Sequence, residues 1–482
     1  MRRLIFRPVA PWIGAFLLLN LSAWESGGTN PASRFAAVRA MSWDGEFAID
    51  RYRSWTIDRA ETEDGHVYSN KAPGAAMLAV PVSRALELVL FVRGDEPTRR
   101  PPLAYQVLLS FLLQALPFAL TVLLVDVFLE RRGAGLAARH LACLGALWGT
   151  TASSYMNVFF GHGLTAWLLI GLTLAAAEGR HFLSGLLYGL ALLSDYAVAV
   201  LLLPFVVGSL IAPASVSRPR RLAWIVAGGA LPGLLWVWYH AASFGSPFAT
   251  ALHFQGQQFT RPGMPRGSLS GVLYPLPRPE AIHGLVLSPA RGLVRTDPWV
   301  VTAWTMGVIA GVRRWLSRRG GGPLEAPLPP VVAWMTLAGL PLLVVATSCF
   351  NGWHGGACAG PRYLSPLLPS FSLLAGLSYD RWGRAGRAAL WLTLVPSLVL
   401  RSLVYAWRSY HVPGIASIWT YYWGRLASGL LAVPARRAVL FWAAHAGAAA
   451  LVWKARAARS EARAGVAAPA PPGTKRSSGL SA

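Results

Sequence analysis

Residues 103–129, LAYQVLLSFLLQALPFALTVLLVDVFL, hold one charged residue in 27 positions, and residues 390–407, LWLTLVPSLVLRSLVYAW, are nearly as apolar. A helix needs about 20 such residues to cross a hydrocarbon core of roughly 30 Å. Runs of this kind recur along the 482-residue chain, which is 54% hydrophobic and 13% charged, whereas soluble domains are about one quarter charged. A single water-facing core cannot hide that much apolar surface, so the sequence specifies an all-α integral membrane protein that crosses the bilayer many times.

The start, MRRLIFRPVAPWIGAFLLLNLSAW, has the basic end and apolar run of a secretory signal but no small-residue cleavage site after it, so it is expected to stay as the first span. The formal net charge of +24 would suggest nucleic acid in a soluble protein. Here the arginines cluster between apolar segments, at Arg2, Arg3 and Arg7, at Arg131, Arg132 and Arg139, at Arg218, Arg220 and Arg221, and at Arg381, Arg384 and Arg387. That is the positive-inside pattern. The charge therefore reports orientation, and no nucleic-acid partner is expected.

Placing those clusters in the cytoplasm gives twelve spans, near 8–24, 103–129, 135–153, 164–178, 182–193, 195–212, 222–242, 298–312, 329–347, 363–379, 388–406 and 437–453, with both termini inside. Residues 182–212 are too long for one span and are expected to break at Asp195 into two short helices. Residues 73–92 carry Arg84 and Glu87 near their centre, costly in lipid, and read as an amphipathic helix on the outer surface of the cytoplasmic (inner) membrane. Residues 1–456 then form the membrane domain, and 457–482, rich in Ala, Pro, Gly and Ser, a disordered basic cytoplasmic tail.

Residues 25–102 become one large extracytoplasmic loop with 11 of the 20 acidic residues. Carboxylates can take a proton from a hydroxyl, and a neighbouring cation can hold a phosphate leaving group. The loop supplies both, in Asp44, Glu46, Asp50 and Asp58, then His66, Tyr68 and Lys71. Lysine occurs only three times, at Lys71, Lys454 and Lys475. Lys71 directly precedes the start of the surface helix marked by Pro73 and Gly74, and free amides in a first helical turn attract anions. In a second outer region, SCFNGWHGGACAGPR, Cys349 and Cys358 lie on an oxidising face, where the alternatives are a disulfide that closes the loop and two unlinked thiols.

These stretches carry a resemblance. SRFAAVRAMSWDGEFAID followed by DGHVYSNKAPGAAMLAVP resembles the first outer loop of the GT-C class of membrane glycosyltransferases, in the branch related to protein O-mannosyltransferases and the lipid A aminoarabinose transferase. The matching positions are Gly65, Tyr68, Lys71 and Pro73, and GPRYLSPLLPSFSLLAG at 360–376 resembles the R-Y-x-x-P-x-x-P span of the same families. FFGHGLTAWLL and LSPARGL look like pieces of a bacterial family 39-like branch.

The resemblance implies a GT-C-like bundle of about twelve helices and an inverting transfer. The sugar would come from a polyprenyl-phosphate-linked donor and go to an acceptor hydroxyl on a lipid, glycan or protein. It places the donor phosphate near Lys71, Tyr68, Arg362 and Tyr363. His66, His162 and His354 are candidates to line the cavity, and Asp195 is a candidate as an acid within the membrane. The usual acid ahead of the S-R stretch is absent, since Asn30 and Pro31 stand there. Asp50 and Asp58 are therefore the leading candidates for the base, with Asp44 and Glu46 behind them. No metal-ligand spacing appears, and no cofactor is expected. Two other readings remain open, an inactive protein derived from such an enzyme and a polytopic lipid or glycan transporter.

Overall fold

The computed structural model describes residues 7–22, 28–90, 100–213, 216–256, 259–264, 268–319, 328–356, 358–407, 417–427 and 432–466. Helices predominate among them, joined by turns and irregular loops, and the sheet they contain is a two-stranded antiparallel hairpin, Arg59–Glu61 with Val67–Ser69. Five described helices are apolar and long enough to cross a membrane, Leu103–Arg131, Arg218–Phe244, Pro330–Ser348, Arg384–Trp407 and Arg436–Ala455. Shorter apolar helices, among them Ala10–Ser22, Leu136–Trp148, Gly161–Ala177 and His181–Ser194, occupy expected spans.

Small residues set the tightest helix contact. A Cβ on Gly228 would lie 1.9 Å from the Phe182 carbonyl oxygen, and one on Gly185 would lie 2.0 Å from that of Ile225. His181–Ser194 and Arg218–Phe244 therefore touch backbone to backbone, as membrane helices do where small residues face each other. At one end of the bundle the fully buried Asp126 is paired with Arg7 and with Arg139, whose Nε lies 2.6 Å from Oδ1. The Gly135 amide donates to Asp380 at 2.9 Å. The clusters around Arg7, Arg139 and Arg384 thus share one end of the bundle, as their charge pattern implies.

The expected break at Asp195 is present. Helix His181–Ser194 stops there, Asp195 accepts from the Ala197 amide at 3.1 Å, and a 3-10 turn over Tyr196–Leu201 leads into Leu202–Leu210. The expected surface helix runs Gly74–Leu90. Its buried face seats Glu87 against Arg39 at 2.9 Å, while Leu88 is 78% exposed.

Two expectations are corrected, and the cysteines take the unlinked alternative. Residues 363–379 are not one span, since turns lead to a 3-10 turn at Leu368–Ser370 and an eight-residue helix at Phe371–Ser378. Pro369 removes an amide donor a continuous helix would need, and Pro366 and Pro369 push Ser365 and Leu368 before them away from α-helical backbone. The tail does not begin at 457, because helix Ala432–Val466 runs through ARAARSEARAGV, which is rich in strong helix formers. Cys349 and Cys358 are free thiols, and Cys358 is buried with its Sγ 3.3 Å from the Gly360 carbonyl oxygen.

Candidate functional site

The site begins with a short helix, Thr29–Arg39, inside the first loop. Two hydroxyls tie it to the hairpin. Thr56 Oγ1 donates to the Thr29 carbonyl at 2.7 Å and accepts from the Asp58 amide at 2.9 Å. Ser33 Oγ donates to the Asp58 carbonyl at 2.6 Å and lies 2.7 Å from Ser69 Oγ, which accepts from the Lys71 amide at 3.3 Å. Asp58 and Lys71 are thereby held by one set of hydrogen bonds, and Lys71 Nζ lies 3.0 Å from Asp58 Oδ2.

Burial sets the charge behaviour of this pair. The Lys71 side chain is 16% exposed, and removal from water pushes its pKa down to about 8. Asp58 opposes that fall, while Arg362 and Arg34 add to it. Arg34 lies nearby, its Nε 3.4 Å from Asn30 Oδ1 and its Nη1 3.4 Å from the Ala72 carbonyl, and burial lowers its pKa to about 10.

Arg362 approaches from the other half of the chain. Its Nη2 lies 3.0 Å from Tyr363 Oη, and its guanidinium sits 5.5 Å from the Phe160 ring centroid and 5.0 Å from that of Tyr363. Its Nε is buried without a hydrogen-bond partner. His162 Nδ1 pairs with Asp195 Oδ2 at 2.9 Å. Gly74 lets the surface helix meet this corner, since a Cβ there would lie 2.7 Å from Ser194 Oγ.

Two adjoining chambers meet at these residues. One, of about 400 Å³, is lined by Val200, Leu252, Leu273 and Ala346 and also reaches His162 and Asp195. The other, of about 350 Å³, is lined by Thr29, Asp58, Asn351 and His354. Asn30, Asn70, Lys71, Gln255, Arg362 and Tyr363 border both and form the neck between them. The arrangement suits a two-part ligand joined through an anion, with an apolar part on one side and a polar part on the other.

Of the other sequence candidates, His354 borders a chamber and Asp50, Asp44, Glu46, His66 and Tyr68 do not. Asp50 accepts from the Val67 amide at 2.7 Å, pairs with His66 Nδ1 at 2.7 Å, and borders neither chamber. The hydrogen bond to Asp50 raises the pKa of the exposed His66. Asp44 is paired with Arg51, and Glu46 is exposed. Tyr68 is buried with its ring 5.2 Å from Phe244 and faces neither chamber. His354 borders the polar chamber, and burial lowers its pKa, helped by Arg291 and Arg362.

Asn70 and Gln255, which border both chambers, and Arg34, which borders the apolar one, are not among the candidates the sequence singles out. Arg34 was signalled, since it is the arginine of the S-R stretch. Also missed was a buried knot behind Arg362. Fully buried Asp297 accepts from Thr151 and, at 2.6 Å, from Thr296 Oγ1. Arg401 lies 3.6 Å from Asp297 and donates to Ser154 Oγ and the Thr296 carbonyl at 2.8 Å each. Gly360, at φ 92°, rests on this knot, for a Cβ there would lie 2.7 Å from Thr151 Oγ1. The loop that delivers Arg362 is seated two residues from that contact. Among the described residues no group of three His, Cys, Asp or Glu side chains is placed to hold a metal ion.

No protein-family model and no curated protein matches this chain. Among solved structures, the crystal structure of ArnT from Cupriavidus metallidurans bound to undecaprenyl phosphate aligns with a TM-score of 0.51. The alignment covers 95% of this chain and 78% of that one at 14% sequence identity. The chain therefore has the GT-C-like, all-α membrane fold that the sequence resemblance implied.

Proposed function

We propose that this protein is a membrane glycosyltransferase that moves a sugar from a polyprenyl-phosphate-linked donor to an acceptor hydroxyl. The observation that carries the reading is the neck, where Lys71 and Arg362 converge between an apolar and a polar chamber with Asp58 3.0 Å from Lys71. In this reading the prenyl chain runs in the apolar chamber, the phosphate meets Lys71 and the unpartnered Nε of Arg362, and the acceptor enters the polar chamber.

The chemistry follows from that placement. The acceptor oxygen forms a bond to the anomeric carbon as the bond from that carbon to the phosphate oxygen breaks, inverting the centre. Asp58 takes the acceptor's proton, and the polyprenyl phosphate leaves with the bonding electron pair, its new charge met by Lys71 and Arg362. Donor binding also frees the base, because a phosphate drawing on Lys71 weakens the ion pair that otherwise occupies Asp58. Asp58 is preferred over Asp50 because Asp58 borders the polar chamber and Asp50 borders neither chamber. With cations supplied by the chain, the proposed reaction uses no cofactor. The reaction is placed on the extracytoplasmic face of the inner membrane with both termini cytoplasmic, on the charge pattern of the loops.

One observation favours a second reading. Asn30 stands at the neck where the resembling families carry an acid, which suits a protein that binds lipid phosphate without transfer. Mass spectrometry of lipid-linked sugars and envelope glycans in a deletion strain separates the two. Loss of a glycan modification with build-up of its polyprenyl-phosphate donor, restored by the wild-type gene and not by Lys71→Ala, supports transfer. An unchanged glycan profile supports the inactive binder.

A further inference from the structure

Arg362 stands at the neck, and the carboxylates that border the two chambers do not pair with it, since Asp58 is taken by Lys71 and Asp195 by His162. Its guanidinium lies instead against two rings, 5.5 Å from the Phe160 centroid and 5.0 Å from that of Tyr363, whose hydroxyl is 3.0 Å from Nη2. Aromatic faces attract a cation without cancelling its charge as a carboxylate does. This seat therefore leaves the guanidinium able to draw an anion, and whatever fixes the two rings fixes where that charge points.

Both rings rest on His162. Phe160 stacks on the imidazole with centroids 5.9 Å and planes 13° apart, and Tyr363 meets it edge-on at 6.0 Å and 88°, separations at which aromatic pairs attract. A third ring, Tyr155, lies 5.8 Å from the imidazole, and its hydroxyl reaches the Ala359 carbonyl at 3.5 Å, three residues before Arg362. Asp195 in turn fixes the imidazole. Its Oδ2 lies 2.9 Å from His162 Nδ1 while its Oδ1 accepts from the Ala197 amide at 3.1 Å, so neither oxygen is free to turn away. An ionised carboxylate only accepts, so Nδ1 carries the hydrogen and the plane of the ring is set. Gly161 permits the approach, for a Cβ there would lie 2.9 Å from the carbonyl oxygen of Ser194, next to Asp195. The FFGHG stretch at 159–163 thus supplies the stacked ring, the close approach and the histidine in consecutive positions.

We propose that His162, tied to Asp195 at the helix break, is the positioning residue for Arg362. It supports the two rings that aim the guanidinium at the lipid phosphate, and it acts through Arg362 alone. The proposal rests on the reading of the neck as a phosphate site. It gives a role to the break at Asp195, which joins a turn in the first half of the chain to the loop that delivers Arg362 from the second.

The test is equilibrium binding of undecaprenyl phosphate to the full-length protein in lipid nanodiscs. His162→Asn keeps a side-chain N–H for Asp195 and removes the ring, and it should weaken binding about tenfold, the scale of two lost aromatic pairs. In an Arg362→Ala background the same change should cost less than about twofold, and in a Lys71→Ala background it should keep its full cost. Phe160→Leu leaves the pair of His162 and Asp195 intact and should lower affinity about threefold, again only while Arg362 is present. Wild-type affinity in His162→Asn overturns the proposal, because a role confined to satisfying Asp195 would survive that change. A loss from either substitution that persists in the Arg362→Ala background overturns it too, as the mark of a general structural effect. A wild-type protein that binds no undecaprenyl phosphate, or an Arg362→Ala protein that binds it as well as the wild type, refutes the phosphate site at the neck and this proposal with it.

Discussion

Raising the pH should weaken lipid-phosphate binding through Lys71. Burial lowers its pKa from 10.5 to about 8, which corresponds to about 3 kcal/mol spent on keeping a partly dehydrated ammonium charged. An anionic phosphate at 3 Å scale reverses that shift and restores a pKa near or above the ordinary lysine value. The sign follows directly. Below about pH 8 the free protein already carries the ammonium, and affinity is flat. Above it the ammonium is lost from the free protein but kept in the complex, so binding takes up a proton and affinity falls about tenfold per pH unit. Between pH 7.5 and 9.5 the loss should be about 25-fold.

Undecaprenyl phosphate is the suitable probe, because a phosphate monoester's own second ionisation lies near 6 and is complete across this window. The assay is equilibrium binding in nanodiscs at fixed ionic strength, repeated with Lys71→Arg. A guanidinium stays charged throughout, so the variant should bind with no comparable slope whatever its absolute affinity. A flat wild-type profile refutes the assignment of the phosphate to Lys71. Equal slopes in wild type and Lys71→Arg would assign the titration to another group.

Asp58→Asn should lower single-turnover transfer by about 10²–10⁴-fold, the range for losing a general base. The fall of undecaprenyl phosphate affinity with pH should begin at a lower pH in the variant, because Asp58 supports the Lys71 ammonium; intact transfer excludes Asp58 as the base. Asp297→Asn should reduce undecaprenyl phosphate affinity in the wild-type background and add no further loss once Arg362→Ala is present, since the knot acts through the Arg362 loop. Additive losses would show a general structural effect instead. Treatment with EDTA should leave transfer within about twofold, and loss restored by a divalent cation would show that the chain's own cations do not suffice.

What the sequence disclosed follows from how each residue is marked in it. Lys71 was legible because it breaks a nearly arginine-only background beside a helix start, and Arg362 because it opens the stretch that resembles an R-Y-x-x-P-x-x-P span. The break at Asp195 was legible because two apolar segments were too long to be one span. Which carboxylate faces the cavity was not legible, because it depends on side-chain ties from Ser33 and Thr56 that hold Asp58 beside Lys71, while Asp50 turns outward to His66. Asp297 and Arg401 lie 104 positions apart in the chain and share no spacing rule, so only the folded chain reveals the pair. The irregular path of 363–379 was masked because its apolar composition outweighs Pro366 and Pro369 in a count of hydrophobicity, although those two prolines decide the backbone.

An electron cryomicroscopy structure of the full chain with undecaprenyl phosphate tests the central claim most directly. The phosphate is expected at the neck, within hydrogen-bond reach of Lys71 Nζ and Arg362 Nε, with the prenyl chain passing Val200 and Leu252. A phosphate bound away from both cations, or a prenyl chain in the chamber lined by Asp58 and His354, would contradict it.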